Sequence, residues 1–268
     1  MSFTKLYGTN NAADFSPTNF RGAWDDTAGA VTKALDVTMH GGASTTVARA
    51  ETSTTNNFDV CLYRGVSGPL AAQTITGTIQ IVFPVSESNA SANDFYHVHV
   101  YITAGDTDTV RGTLLTDFID SSEWATTIAA KALNAAQTLT NIGAITDGDR
   151  LVIEIGYQAQ NTSATSFTGT LRYGLNSANG AYRDLASGDG ATTGSPVITF
   201  SNAISESTTA QENRVTAAGV EFVEQEAAGD LWVTAFGIEC IIDNITTAPT
   251  TSGQAVAFLP GTFEPSGG

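Results

Sequence analysis

The residues that could bind a metal, move a proton or attack a bond are few. His97 and His99 form a His-x-His pair within YHVHVYIT. On an extended segment both rings project from one face, a spacing that can ligate a metal. No third ligand accompanies them in the sequence, and Tyr96, Val98, Val100 and Tyr101 are ordinary sheet residues, so two hydrogen-bonded sheet histidines are expected. His40, in Met-His-Gly-Gly, stands alone in a turn. Acidic pairs recur at Asp106/Asp108, Asp147/Asp149 and Asp184/Asp189. Calcium takes roughly six to eight oxygens, and none of these pairs follows EF-hand spacing, so solvated turns are expected. Glycoside hydrolysis needs two carboxylates flanking a cleft, and Glu123 and Glu154 are the best placed. Glu154, however, lies between apolar neighbours on a strand and reads as an outer-face residue or a partner of Arg150 or Arg172. Trp24, Trp124, Trp232, Tyr63, Tyr157, Tyr173 and Tyr182 could stack on sugars, with core packing the default for each. No G-x-S-x-G, P-loop or H-E-x-x-H motif occurs. No catalytic, cofactor-binding or metal-ligating residue is therefore assigned, and no cofactor is expected.

The elements that carry these residues read as strands. Residues 58–66, 75–83, 95–103, 150–157, 167–173, 197–200, 214–223 and 231–243 are short runs rich in β-branched and aromatic residues, separated by Gly, Asn, Asp, Ser and Thr clusters. In LVIEIGY, Leu151, Ile153, Ile155 and Tyr157 fall on one side and Val152, Glu154 and Gly156 on the other. In ITGTIQIVF, Ile75, Gly77, Ile79, Ile81 and Phe83 share a face. One apolar face per strand predicts two sheets packed face to face. The Ala-rich stretch 121–137 departs from alternation, and Ile128, Ala132 and Ala135 predict a short helix. RVTAAGVEFV (214–223) and WVTAFGIECI (232–241) repeat at a constant offset of 18 residues, predicting two similar strands paired as a hairpin or arm. Residues 244–268 form a Pro/Gly/Thr-rich tail with a small apolar patch at 255–259. The organisation expected is an N-terminal arm (1–20), a β-sandwich (21–205), paired strands (206–243) and the flexible tail (244–268).

Composition narrows the function classes. The 268 residues carry 11 Lys+Arg against 27 Asp+Glu, a net charge of −16, and only 14% of the chain is charged. With 41% apolar residues the chain can build a core and is not of the disordered class. Without a cation excess it has no counterion-releasing grip on nucleic acid, and anionic membranes should repel it. Residues 1–26 lack a charged segment followed by an apolar one, so no signal peptide is expected there. Cys61 and Cys240 sit inside apolar runs and read as two buried thiols; a disulfide between them is open.

Residues 148–174 (GDRLVIEIGYQAQNTSATSFTGTLRYG), PVITFS at 196–201, TVRGTLLTDFIDSSEWATT at 109–127 and GPLAAQTITGTIQ at 68–80 resemble a β-sandwich module of tailed-phage virion proteins. The repeated RVTAAGVEFV and WVTAFGIECI resemble strands that follow this module, departing at Trp232 and Cys240, where a basic and an aliphatic residue would be expected. The resemblance spans about residues 20–242. It implies an all-β protein: a jelly-roll β-sandwich followed by a C-terminal hairpin or arm. It also implies a non-enzymatic structural role on the capsid or tail of a bacteriophage, and transfers no catalytic residue. The partners then expected are other copies of the chain and other virion proteins, contacted through the terminal arms 1–20 and 243–268, in a virion made in the host cytoplasm. A carbohydrate-binding module or adhesin contacting host glycan is the alternative.

Overall fold

The computed structural model describes residues 2–39, 44–51, 57–161, 165–174 and 183–207, and the backbone of four strands between 213 and 242. Every regular element among them is a β-strand. The chain divides into two units, Met1–Thr208 and Thr209–Gly268. In the first unit the strands are β1 (Ser2–Gly8), β2 (Val31–Asp36), β3 (Thr45–Ala50), β4 (Phe58–Leu70), β5 (Gln73–Thr74), β6 (Thr78–Glu87) and β7 (Asp94–Thr103). They continue with β8 (Val110–Glu123), β9 (Ala129–Ala132), β10 (Gln137–Thr138), β11 (Ala144–Ile145), β12 (Asp149–Ala159), β13 (Thr168–Tyr173) and β14 (Val197–Ser205).

Two antiparallel layers emerge from the pairing. One runs β4–β12–β7–β8. The other runs β3–β13–β6–β9, with β10 continuing along the edge of β6. Going along the chain, β3 lies in the second layer, β4 in the first, β6 in the second, β7 and β8 in the first, β9 in the second, β12 in the first and β13 in the second. That weaving is jelly-roll connectivity. β14 shares an edge of β6 with β13: β13 pairs with Val85 to Glu87, and β14 with Ile79 to Val82. Pro84, which has no N–H to give, sits where one partner hands over to the other. β1 pairs with β14, and β2 pairs with β1 and, in parallel, with β4, so the two layers are joined along one side.

Alternation places the core between the layers. Val98, Val100, Ile102, Leu151, Ile153, Ile155 and Tyr157 from the first layer meet Ile79, Ile81, Phe83 and Leu171 from the second. Each such side chain contributes about 1.5–3 kcal/mol when fully buried. Polar tips cross the gap where they must: the Tyr96 hydroxyl donates to the Phe83 carbonyl (3.0 Å), and that of Tyr157 to the Arg49 carbonyl (2.9 Å).

Three expectations are corrected. Residues 2–8 are not part of an arm: β1 lies between β14 and β2, with Phe3, Leu6 and Tyr7 buried. Stretch 121–137 holds no helix. It contains the end of β8, then β9 and the start of β10. Its alanines are small because Ala130 is buried with Tyr7, Val82, Leu185 and Val197, and its N–H donates to the Asp189 carbonyl (2.8 Å). Sheet pairing overrides helix propensity there. In the second unit, β15 (Asn213–Ala217), β16 (Val220–Glu224), β17 (Leu231–Ala235) and β18 (Ile238–Ile242) form an antiparallel meander, so each copy of the repeat is a hairpin rather than a strand. Ala217 pairs with Val220 and Ala235 with Ile238. The tail at 244–268 lies outside the described residues.

Candidate functional site

On the β4–β12–β7–β8 layer, the face turned away from the core carries Arg64, Glu154, His97, His99 and Tyr101. Residues 9–30 lie across it as an irregular strap, a stretch whose Asn, Asp, Gly and Pro content suits neither helix nor strand. The strap is pinned from below. Arg64 donates to the carbonyls of Asn19 (3.2 Å) and Pro17 and to the Thr32 hydroxyl (3.1 Å), while its guanidinium stacks 4.2 Å from the Phe20 ring. Arg150 pairs with Asp14 and Asp106, at 3.0 and 2.8 Å. Ala13 and Phe15 pack on Val66, Tyr101 and Val152.

Glu154 is the centre of this arrangement. It is 0% exposed, and its carboxylate accepts the backbone N–H groups of Arg21 (3.0 Å) and Gly22 (2.9 Å), the Trp24 indole N–H (2.8 Å) and the Tyr101 hydroxyl (3.2 Å). It is therefore an outer-face residue, as expected, but its partners are the strap and Tyr101. Arg150 and Arg172 bind elsewhere, Arg172 to Ser44.

The histidine pair sits beside it. His97 Nδ1 lies 2.7 Å from Asp59 Oδ1, and its Nε2 3.3 Å from Asp117 Oδ1; His99 Nδ1 is 3.0 Å from the same Asp117 oxygen. The Trp24 ring lies over His97, centroids 4.0 Å apart. Burial works to raise the pKa of Asp117, but the Ala23 N–H and the two histidines outweigh it and hold the carboxyl below its ordinary value. Asp117 takes a positive φ of 40°, which aims its carboxylate back at both rings. Both rings are hydrogen-bonded sheet histidines, as their pattern predicted, and both are buried.

The acidic turns do not converge. Asp106 binds Arg150, Asp108 accepts the Thr18 N–H (2.7 Å), Asp147 accepts the Ser207 hydroxyl (2.9 Å), Asp184 binds Lys5 (2.6 Å) and Asp189 binds Arg183 (2.8 Å). Asp149 is buried, which alone would raise its pKa, yet Arg111 and the N–H groups of Thr146 and Gly105 bring it below the usual carboxylate range. Among the described residues no three His, Cys, Asp or Glu side chains meet with metal-binding geometry. Glu123 and Glu154 do not form a pair across a cleft. They align with Phe95 and His99, four positions apart on β7, or roughly 13 Å. Trp124, Tyr63, Tyr157 and Tyr173 are core residues, and Trp24 is occupied by His97 and Glu154. His40, Tyr182 and the side chains of Trp232 and Cys240 lie outside the described residues. Cys61 is a buried free thiol whose pKa burial pushes well up, with the Glu154 charge adding to it.

Sequence reading missed Arg64, Asp59 and Asp117. Arg64 had a signal, a lone cation inside the apolar run VCLYRGV. The two aspartates had none, since their role depends on which strands become neighbours. The assembled network holds a strap to a sheet, with Glu154 and both imidazoles buried beneath it and Asp117 partly exposed at its margin. The chain matches no protein-family model and no curated protein.

Proposed function

We propose that the protein is a non-catalytic structural component of a tailed-phage particle, assembling through its C-terminal unit. The observation that carries the reading is the state of Glu154, His97 and His99: the groups best suited to chemistry are buried and used to fasten residues 9–30. The second unit adds support. Val215, Phe222, Val233 and Cys240 share one row of the meander, and Ala217, Val220, Ala235 and Ile238 share the next row on the same face. Thr216, Glu221, Thr234 and Glu239 make up a row of the alternate register, as do Arg214, Val223, Trp232 and Ile241. A lone four-stranded layer with apolar residues in its rows is stable only when it is covered. The −16 charge keeps unassembled copies apart in solution. The glycan-binding alternative has less support, because Trp124, Tyr63, Tyr157 and Tyr173 are packed inside and the half-buried Trp24 is engaged by His97 and Glu154.

The test is mass spectrometry and antibody labelling of purified particles, with wild-type chain and with Phe222→Asp. Wild type is expected on the particle in a fixed copy number, and the variant is expected to stay in the soluble fraction with its jelly roll folded. Wild-type protein recovered only outside particles would overturn the assignment. Normal loading of the variant would overturn the route of assembly.

A further inference from the structure

One end of the sandwich gathers acids, with no cation bearing on Asp94 among the described residues. Glu87 closes β6 in one layer, Asp94 opens β7 in the other, and residues 88–93 carry the chain between them. Glu51 follows β3 at the same end. All three are within 2% of full burial. Glu87 accepts the Asp94 backbone N–H (3.1 Å), and Glu51 accepts the Phe167 N–H (3.2 Å) and the Asn161 side-chain amide. Both carboxylate oxygens of Asp94 are buried with no hydrogen-bond partner among the described residues. The charged side chains that bear on Asp94 are Glu87 from β6, Glu51 beyond β3 and Glu123 from β8, all acidic. Tyr157 faces it from β12, and the nearby Arg49 guanidinium is turned to Asp26, 3.0 Å away. A buried carboxylate among carboxylates, with nothing to receive its charge, is stable only in its neutral form.

We propose that Glu51, Glu87 and Asp94 act as a proton-held clasp between the two layers, closed while the acids are neutral and loosened as they ionise. Burial first, then repulsion by Glu87, Glu51 and Glu123, raises the pKa of Asp94 to about 8. Burial, opposed by the Asp94 N–H and reinforced by Glu123, raises that of Glu87 to about 7. Burial also raises that of Glu51. Folded-state pKa values above the unfolded ones mean that the clasp gives its full support in acid. That support falls as pH climbs from the ordinary carboxylate range, and has gone once pH passes the Asp94 value. The clasp does not depend on the virion assignment, since it concerns the jelly roll alone.

The experiment follows the full-length chain from pH 5 to 9 by urea denaturation and by hydrogen exchange corrected for intrinsic pH dependence. Asp94→Asn supplies a neutral isostere, and Glu87→Gln serves as a second variant should the first not fold. Wild type is expected to lose stability across this range and to gain exchange at residues 87–94 and 159–161. Either variant is expected to flatten the profile, its unfolding constant at pH 9 being roughly tenfold or more below that of wild type. Parallel profiles for wild type and variants overturn the clasp. So does stabilisation of wild type, but not Asp94→Asn, by millimolar calcium at pH 8, which would make the acids a cation site instead.

Discussion

Glu154 shows how one side chain can hold a segment that has no regular structure. Four donors from residues 21–24 and Tyr101 converge on it. Glu154→Gln keeps the shape but presents an NH₂ group where only acceptors fit, leaving at least one buried donor unmet. The cost expected is about 2–4 kcal/mol, as when a buried charged hydrogen-bonding group loses its complement. Chemical denaturation gives the energy, and a change in near-ultraviolet circular dichroism from Trp24 shows that the strap has lifted. A fall under about 0.5 kcal/mol, the level of ordinary surface substitutions, would mean that other pins carry the strap. The sequence showed Glu154 to be on the outer face because alternation is local. It could not show the partners, which come from 53 residues away for Tyr101 and 130 or more for the strap.

At the level of elements, β4 and β12 illustrate why alternation alone does not set register. Ile155 pairs with Tyr63 and Gly156 with Cys61, so Leu62 is the extra residue of a bulge. A Cβ on Gly156 would stand 1.9 Å from the Val60 carbonyl oxygen. Gly156→Ala is therefore expected to cost at least about 2 kcal/mol through forced backbone movement. Gly148→Ala is the control: its φ is +86°, but nothing lies within 4 Å, so only about 1 kcal/mol of backbone strain is expected. Equal denaturant midpoints for the two variants would refute the bulge. The strands β4, β6, β7, β12, β13 and β14 were legible because each is a short run rich in β-branched and aromatic residues between turn clusters, with clear alternation in β6 and β12. β1, β2 and β3 were not. SFTKLYG and VTKALD are polar enough to pass for loop, and they become strands only because β14 and β4 offer them edges. The Ala-rich stretch misled for the reverse reason: local propensity favoured a helix, while burial under residues 184–195 demanded small side chains on a sheet edge.

For the molecule as a whole, two sets of acids pull stability in opposite directions. Asp117 and Asp149 have depressed pKa values, so their support is present above the ordinary carboxylate range and is lost as pH falls through it. Asp94 and Glu87, raised to about 8 and about 7, withdraw support as pH rises. Thermal midpoints are expected to peak between about pH 4 and 6 and to decline towards pH 9. A maximum at pH 8 would contradict that balance. The pI of about 4.3 places minimum solubility beside this maximum, so the most stable condition is also the one most prone to self-association. The placement of β1 has a different kind of consequence. Ser2 pairs with Ser205, so β1 must wait about two hundred residues of synthesis for its main partner. Synthesis therefore proceeds with an open seam, and the jelly roll closes only after translation of β14, as one late, long-range event.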